Sequence, residues 1–502
     1  MRKLLYILSA LLVLSCLSVY AASESKPAAS GPSTDRGYDV ILLMDSSGSM
    51  KKTDPHDYRK TAAKLFISLL GKDERIGVIS FGDVAKTLIP LTANTSQNQN
   101  SLFKAVEKIS SKEFSTQMHD AVKLGFEDLK SSTRKNRILV LMSDGKLTTG
   151  SDEKDKAALA ELSKMLPELA KANIRLYSIA FTELSDVKLL EEVAKATGGF
   201  FRYAKEDKDV HVTFTDMFEK MKSPDSVPLE GEEFSIDKDI TEATLVITKK
   251  SGTKTTLLDP AKKSYSPANR GSNIKWFESQ VFDMITIQNP AQGRWKVKLS
   301  TTEGNRIFIL TNLSLKSSMN KDFLDKGEKL VVDARLEKDG VLLKGSEILG
   351  QVSFYADIIT SDGKTAKVEL ADNGQTGDSQ AGDGIYSIGF SFSNVGDYVV
   401  KIVSEGKTFK REKSYRLKVN EPSHKDQTKD NATHGDAAHD NASKHDTKHD
   451  SKKEHDRSWK PVLIKFGIIN AVLAAIFGVA FGVMTILSKK KLARKKKQEV
   501  AK

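Results

Sequence analysis

Cysteine is almost absent from this sequence. Among 502 residues there is one, Cys16, inside an apolar stretch near the start. A disulfide-stapled scaffold and a cysteine nucleophile are therefore both excluded. Catalytic signatures are missing as well. There is no Gly-x-Ser-x-Gly elbow, no phosphate loop and no His-Glu-x-x-His. Ser47 and Ser49 have no histidine placed to activate them, and His119 reads as a surface residue at a helix start. The expectation is a chain that is not an enzyme.

Long uncharged runs are also scarce, and they sit near the two ends. Residues 1–22 read as a secretory signal: Arg2 and Lys3, an apolar core from Leu4 to Val19, then Tyr20-Ala21-Ala22. Cleavage there leaves a mature protein without cysteine. A rival reading makes Cys16 a lipid-attachment residue, although Leu14 and Ser15 fit a lipobox poorly. Residues 466–487, FGIINAVLAAIFGVAFGVMTIL, would make a helix of about 33 Å, long enough to span a bilayer. A basic tail, 488–502, follows: Lys489, Lys490, Lys491, Arg494, Lys495, Lys496, Lys497 and Lys502 against Glu499. The positive-inside rule puts this tail in the cytoplasm and the bulk of the chain in the periplasm or outside the cell. The tail, with Arg2 and Lys3, carries most of the net charge of +12. The excess positive charge is thus a topology and lipid-contact signal, and nucleic acid is not an expected partner.

The informative stretch is Tyr38 to Met50, YDVILLMDSSGSM. Val40 to Met44 has no polar alternation, as in a strand buried on both faces of a parallel sheet. It breaks into Asp45, Ser47 and Ser49, a carboxylate and two hydroxyls at alternate positions. Open α/β sheets bind ligands at that strand edge, and oxygen donors suit a hard divalent cation, magnesium first. Arg137 to Gly145, RILVLMSDG, is a second apolar strand ending in Asp144. Between the two, Thr116 precedes an amphipathic helix. Asp45, Ser47, Ser49, Thr116 and Asp144 thus make a set of five candidate oxygen ligands.

This order and context closely resemble the von Willebrand factor type A domain with its metal-ion-dependent adhesion site, over residues 37–222. The resemblance is to the membrane-anchored bacterial type. It implies a divalent cation on those five residues, magnesium with calcium or manganese as alternatives. It also implies a protein partner that supplies an Asp or Glu carboxylate to an open coordination position. Gln117 departs from the pattern, since many relatives carry Asp or Asn after the Thr. In related domains the last helix, here Val210 to Met221, shifts when the metal loops rearrange.

Strands alternate with helices through this region, so a doubly wound, Rossmann-like α/β sheet is expected after a linker at 23–36. Pro167 should bend or divide the helix from Glu153 to Ala172. Beyond a boundary at Ser223 to Pro228 the apolar period falls to two. Two β-sandwich, immunoglobulin-like domains are expected, at 228–315 and 316–420. Asn289 to Trp295 resembles the turn and Trp strand of immunoglobulin-like modules that follow some bacterial A-type domains. In the second sandwich Asp372, Asp378 and Asp383 form a candidate second, calcium-type site. Their spacing does not match an EF-hand, and Asp/Gly turns between strands share this composition. Residues 421–460 lack apolar mass and read as a stalk rich in His, Asp and Lys.

The reading that follows is a membrane-anchored, outward-facing protein that binds a protein partner through a divalent cation. One alternative is an assembly or scaffold factor of the cell envelope. Another is a transmembrane sensor that couples ligand or metal binding to a cytoplasmic partner.

Overall fold

The computed structural model describes residues 37–422, apart from 145–146, 183–184 and 346–348. The expected signal segment, stalk, bilayer-spanning stretch and basic tail lie outside the described residues. Among the described residues no helix is long and apolar enough to cross a membrane.

The first domain is a six-stranded sheet in the order β3-β2-β1-β4-β5-β6. These strands are β1 (Tyr38–Asp45), β2 (Arg75–Phe81), β3 (Lys86–Ala93), β4 (Asn136–Ser143), β5 (Ile174–Phe181) and β6 (Phe201–Ala204). Among the described residues seven α-helices interleave with them: α1 (Met50–Thr53), α2 (Tyr58–Leu69), α3 (Gln99–Glu107), α4 (Met118–Lys130), α5 (Asp152–Lys171), α6 (Val187–Ala196) and α7 (Val210–Lys222). β1 lies in the middle, parallel to β2 and β4. Its side chains divide between two cores. Val40, Leu42 and Met44 enter one cluster and Ile41 and Leu43 the other. A strand without polar positions is stable only where both faces are covered, and this one is. Gly125 lets α4 approach closely, because a Cβ there would meet Leu139 at 2.7 Å and Leu43 at 3.3 Å.

Two details depart from the expectation. β3 runs antiparallel to β2, since the few residues between them permit a hairpin but not a crossover. α5 passes through Pro167 as one helix. The proline forfeits one backbone bond, but Leu162 and Leu169, buried on either side of it, hold the two turns against the sheet.

The remainder is two β-sandwiches, as the change of period implied. In the first, one sheet holds Glu233–Ile236, Gly293–Lys298, Thr256–Leu258 and Ser264–Tyr265, and its partner includes Ile274–Glu278, Phe282–Gln288, Ile240–Thr248 and Arg306–Thr311. Trp295 is buried between them and its indole N–H donates to the Ala291 carbonyl at 2.8 Å. The second sandwich is built on Lys329–Lys338, Ser353–Thr360, Gly396–Glu405 and Lys410–Asn420.

The two sandwiches are not separate sheets. A ten-stranded sheet runs through both and is joined at Asp225–Ser226. That dipeptide pairs with Phe308 and Ile309 on one side and with Glu412 on the other. The stretch from Ser223 to Pro228 is thus a splice and not a free boundary. The Ser226 hydroxyl donates to the Glu412 carbonyl, and the Asp225 carboxylate accepts from the Leu315 amide, both at 2.8 Å.

α7 is fixed in the same way. Phe218 meets Phe308 edge to face, and Val246, Val281, Phe282 and Phe308 join one core of the first domain. Arg306 donates to Glu219 at 2.9 Å, and Lys220 pairs with Asp322 at 2.8 Å. Residues 37–422 therefore pack as one body.

Candidate metal centre

β1 ends at the carboxyl edge of the sheet and delivers Asp45 between β2 and β4, completely buried. One carboxylate oxygen accepts from the Ser47 amide and the other from the Ser143 hydroxyl, each at 2.7 Å. The first contact turns the chain, so that Ser47 and Ser49 come round with their hydroxyls 2.9 Å apart. The Ser49 hydroxyl donates to Asp144 at 2.8 Å. The other Asp144 oxygen accepts from the Thr53 hydroxyl of α1. Ser47, Ser49 and Asp144 are thereby linked through their side chains, and Asp45 joins them through the Ser47 amide.

Thr116 is joined to them through the backbone. The Gly48 amide donates to the Glu113 carbonyl at 2.6 Å, and the Glu113 amide donates to the Ser46 carbonyl at 3.1 Å. Thr116 itself is buried, and its amide donates to the Thr148 carbonyl, four residues past Asp144, at 2.8 Å. Its loop therefore bridges the segments that carry Ser47 and Asp144.

The electrostatics are those of a crowded acidic pocket. Burial first, and the negative charge of Asp144 second, push the Asp45 carboxyl up to about 6. No Lys, Arg or His among the described residues pairs with Asp45 or Asp144, which makes this a poor resting place for two anions. A divalent cation fits this donor set, because it would neutralise both carboxylates and accept the neutral hydroxyl oxygens. The pocket opens at Ser49, which is exposed, while Ser47, Thr116 and Asp144 are buried.

Several contributors escaped the sequence reading. Thr53 and Ser143 carry no motif, although Ser143 adjoins Asp144. Asp83, after β2, accepts from the Phe114 and Ser115 amides at 3.0 and 2.9 Å and so shapes the Thr116 loop. Gln117 also serves that loop, its side chain donating to the Asp83 carbonyl at 2.5 Å. Phe114 is 96% exposed, an unusual position for a large aromatic, and Val84 stands exposed on the adjoining loop. His119 is buried in α4, not on the surface, because the helix turns it inward beside Met118 and Val122.

The predicted second set lies far along the chain, between the strands Thr365–Glu369 and Tyr386–Ser391. One carboxylate oxygen from each of Asp372, Asp378 and Asp383 falls within 4.8 Å of the others.

Known families resemble successive parts of the chain. A model of the von Willebrand factor type A domain matches residues 39–219. A hemicentin galactose-binding domain-like model matches 220–312, so the first sandwich resembles that type and not an immunoglobulin-like one. The second Ig-like domain of conditioned medium factor matches 313–419. The calcium-activated chloride channel regulator 1 of Bos taurus is 24% identical over 427 residues, covering 77% of this chain and 44% of its own. The chain thus spans less than half the length of that relative. Among solved structures, a von Willebrand factor type A protein from Catenulispora acidiphila aligns at 15% identity, covering 61% of this chain and 64% of its own, with a TM-score of 0.32. A proximal thread matrix protein from the mussel byssus, with a zinc-occupied MIDAS motif, aligns at 16% identity, 39% and 50% coverage and a TM-score of 0.29. Residues 39–219 are therefore a von Willebrand factor type A domain, followed in one chain by a galactose-binding-like and an immunoglobulin-like domain.

Proposed function

We propose that this protein is an adhesion-type binding module that holds a protein partner through a divalent cation. The cation is carried by Asp45, Ser47, Ser49, Thr116 and Asp144. The observation that carries this reading is the buried Asp45–Asp144 pair, gathered with the Ser47 and Ser49 hydroxyls, without a basic partner among the described residues and open to solvent at Ser49. Magnesium fits best, since it takes few carboxylates and six oxygens. Five protein groups leave at least one position for an Asp or Glu of the partner, with calcium or manganese as alternatives. Phe114 and Val84 supply an apolar rim, so the partner's acidic residue should stand beside an aliphatic or aromatic side chain.

In this reading the chain is not an enzyme, and residues 466–487 anchor it with the binding domain outside the cell. The Bos taurus relative is named as a regulator of a chloride channel, and a role on a membrane partner is compatible with such an anchor. The scaffold alternative gains support from α7. Its burial against both sandwiches favours a module that presents its site rigidly over a sensor that transmits a helix shift.

Capture of partners from intact envelopes, in magnesium and in chelator, tests the proposal. Magnesium-dependent capture that is lost in Asp45→Asn is expected. Equal capture in chelator would place the partner elsewhere and leave the cation a structural role.

A further inference from the structure

The second sandwich carries an acidic cluster that the adhesion reading does not use. It lies in the loop from Ala371 to Ile385, which is closed at its base by two backbone bonds between Ala371 and Ser387. Asp372, Asp378 and Asp383 come from separate turns of this loop, yet each brings one carboxylate oxygen within 4.8 Å of the other two. No Lys, Arg or His among the described residues pairs with any of them.

Most of the carboxylate oxygens have a task within the loop. Asp372 accepts from the Gly382, Asp383 and Gly384 amides, and Asp383 accepts from the Ile385 amide. Asp378 differs. Its side chain is more than nine-tenths buried. One oxygen accepts from the Gly374 amide at 2.5 Å, and the other, Oδ1, is buried and accepts from no group among the described residues. A carboxylate oxygen shut away from water and without a donor is costly. Beside two further carboxylates it is costlier still, because like charges at this range repel. An Asp/Gly turn needs neither the convergence nor the buried orphan, and a cation at the cluster would satisfy both.

We infer that Asp372, Asp378 and Asp383 form a calcium site, with Asp378 Oδ1 as a direct ligand. Three carboxylates and no nitrogen or sulfur donor select a hard cation and exclude zinc or copper. Magnesium is disfavoured, since it holds several waters and usually takes only one or two carboxylates. Calcium accepts six to eight oxygens in irregular geometry, which the loop carbonyls and water can complete. The bound ion would tie the three turns to the strand beginning at Tyr386. Sites of this kind on extracellular modules work near 0.1–1 mM, by the order of magnitude known for them.

The test is terbium luminescence on the full chain, with calcium as competitor. Tyr386 is the antenna, since it directly follows the loop. The Asp45→Asn background is used throughout, to keep the first-domain site silent. Sensitised emission that calcium displaces at about 0.1–1 mM, and magnesium far less readily, is expected. Asp378→Asn should weaken calcium competition at least tenfold, with an unchanged circular dichroism spectrum. Tyr386→Phe should lose the emission and keep calcium binding by calorimetry, which separates antenna from ligand. Unaltered calcium affinity in Asp378→Asn, or no calcium binding up to 10 mM in the Asp45→Asn chain, would overturn the assignment. If Asp378→Asn unfolds the sandwich, Asp383→Asn, at a half-buried position, takes its place with the same expected loss.

Discussion

Replacing Asp45 by Asn should stabilise the metal-free first domain and abolish its response to magnesium. The magnitude follows from the pocket. Burial and Asp144 hold the Asp45 carboxyl at about 6, against an ordinary value of 3.8. At pH 8 the group is ionised, and the gap corresponds to about 3 kcal/mol of unfavourable free energy in the folded state. The sign is fixed by proton binding. Between pH 4 and 6 the folded chain binds more protons than the unfolded one, so stability falls as pH rises through this window and is level above it. Asparagine is close in shape to the protonated acid, and its amide can still accept from the Ser47 amide. The variant should therefore match the wild type near pH 4 and exceed it by about 3 kcal/mol at pH 8 in chelator. Hydrogen exchange of the β1 amides reads this locally, without assuming that the whole chain unfolds in one step. Protection should rise by about a hundredfold at pH 8. Magnesium at a hundred times its dissociation constant should return about 2.7 kcal/mol to the wild type and nothing to the variant. Equal protection of the two proteins at pH 8 in chelator, or an equal gain from magnesium, would refute the reasoning.

Other consequences are open to measurement. Phe114→Ala should weaken partner binding by about 1–3 kcal/mol and leave magnesium affinity by calorimetry unchanged, as for an exposed aromatic anchor beside the metal. His211, in α7, stacks on Phe282 and bonds to Thr248, and burial pushes its imidazole down to about 4 from an ordinary 6.5. Its contribution to stability should fall by about 3 kcal/mol as pH drops from 6.5 to 4, because the unfolded chain takes up a proton that the folded chain refuses; this opposes the Asp45 contribution, so it is read in the Asp45→Asn chain, where exchange across that window should lose its slope on adding His211→Gln. Arg306→Met leaves Glu219 buried without its cation, while Asp216 keeps Arg416 at 2.6 Å, and should cost about 3–5 kcal/mol in urea unfolding. A loss below 1 kcal/mol would mean that water reaches this interface.

The sequence by itself determined the elements whose signal is local. An apolar run without alternation specifies a doubly covered strand, and β1, β2, β4 and β5 were legible for that reason. Asp45, Ser47 and Ser49 lie within five residues, so their common loop followed from the chain alone. The place of Asp144 at the end of a second run of the same kind was legible too. What only the tertiary structure decided was whatever depends on distant residues meeting. Thr53 reaches Asp144 across ninety-one positions, and nothing in the local pattern marks it. The burial of His119 and the exposure of Phe114 depend on how α4 and its loop seat against the sheet, which composition does not encode. The orphaned oxygen of Asp378 is equally invisible in the sequence, where an Asp/Gly turn and a chelating loop are spelled alike. The splice at Asp225–Ser226 is the clearest case. Asp225 and Ser226, in a stretch between two prolines, read as a boundary, and they became a strand because Glu412, 186 residues from Ser226, brings its backbone alongside. Backbone pairing of this kind is set by which edges the folded sheets present, and no side-chain period announces it.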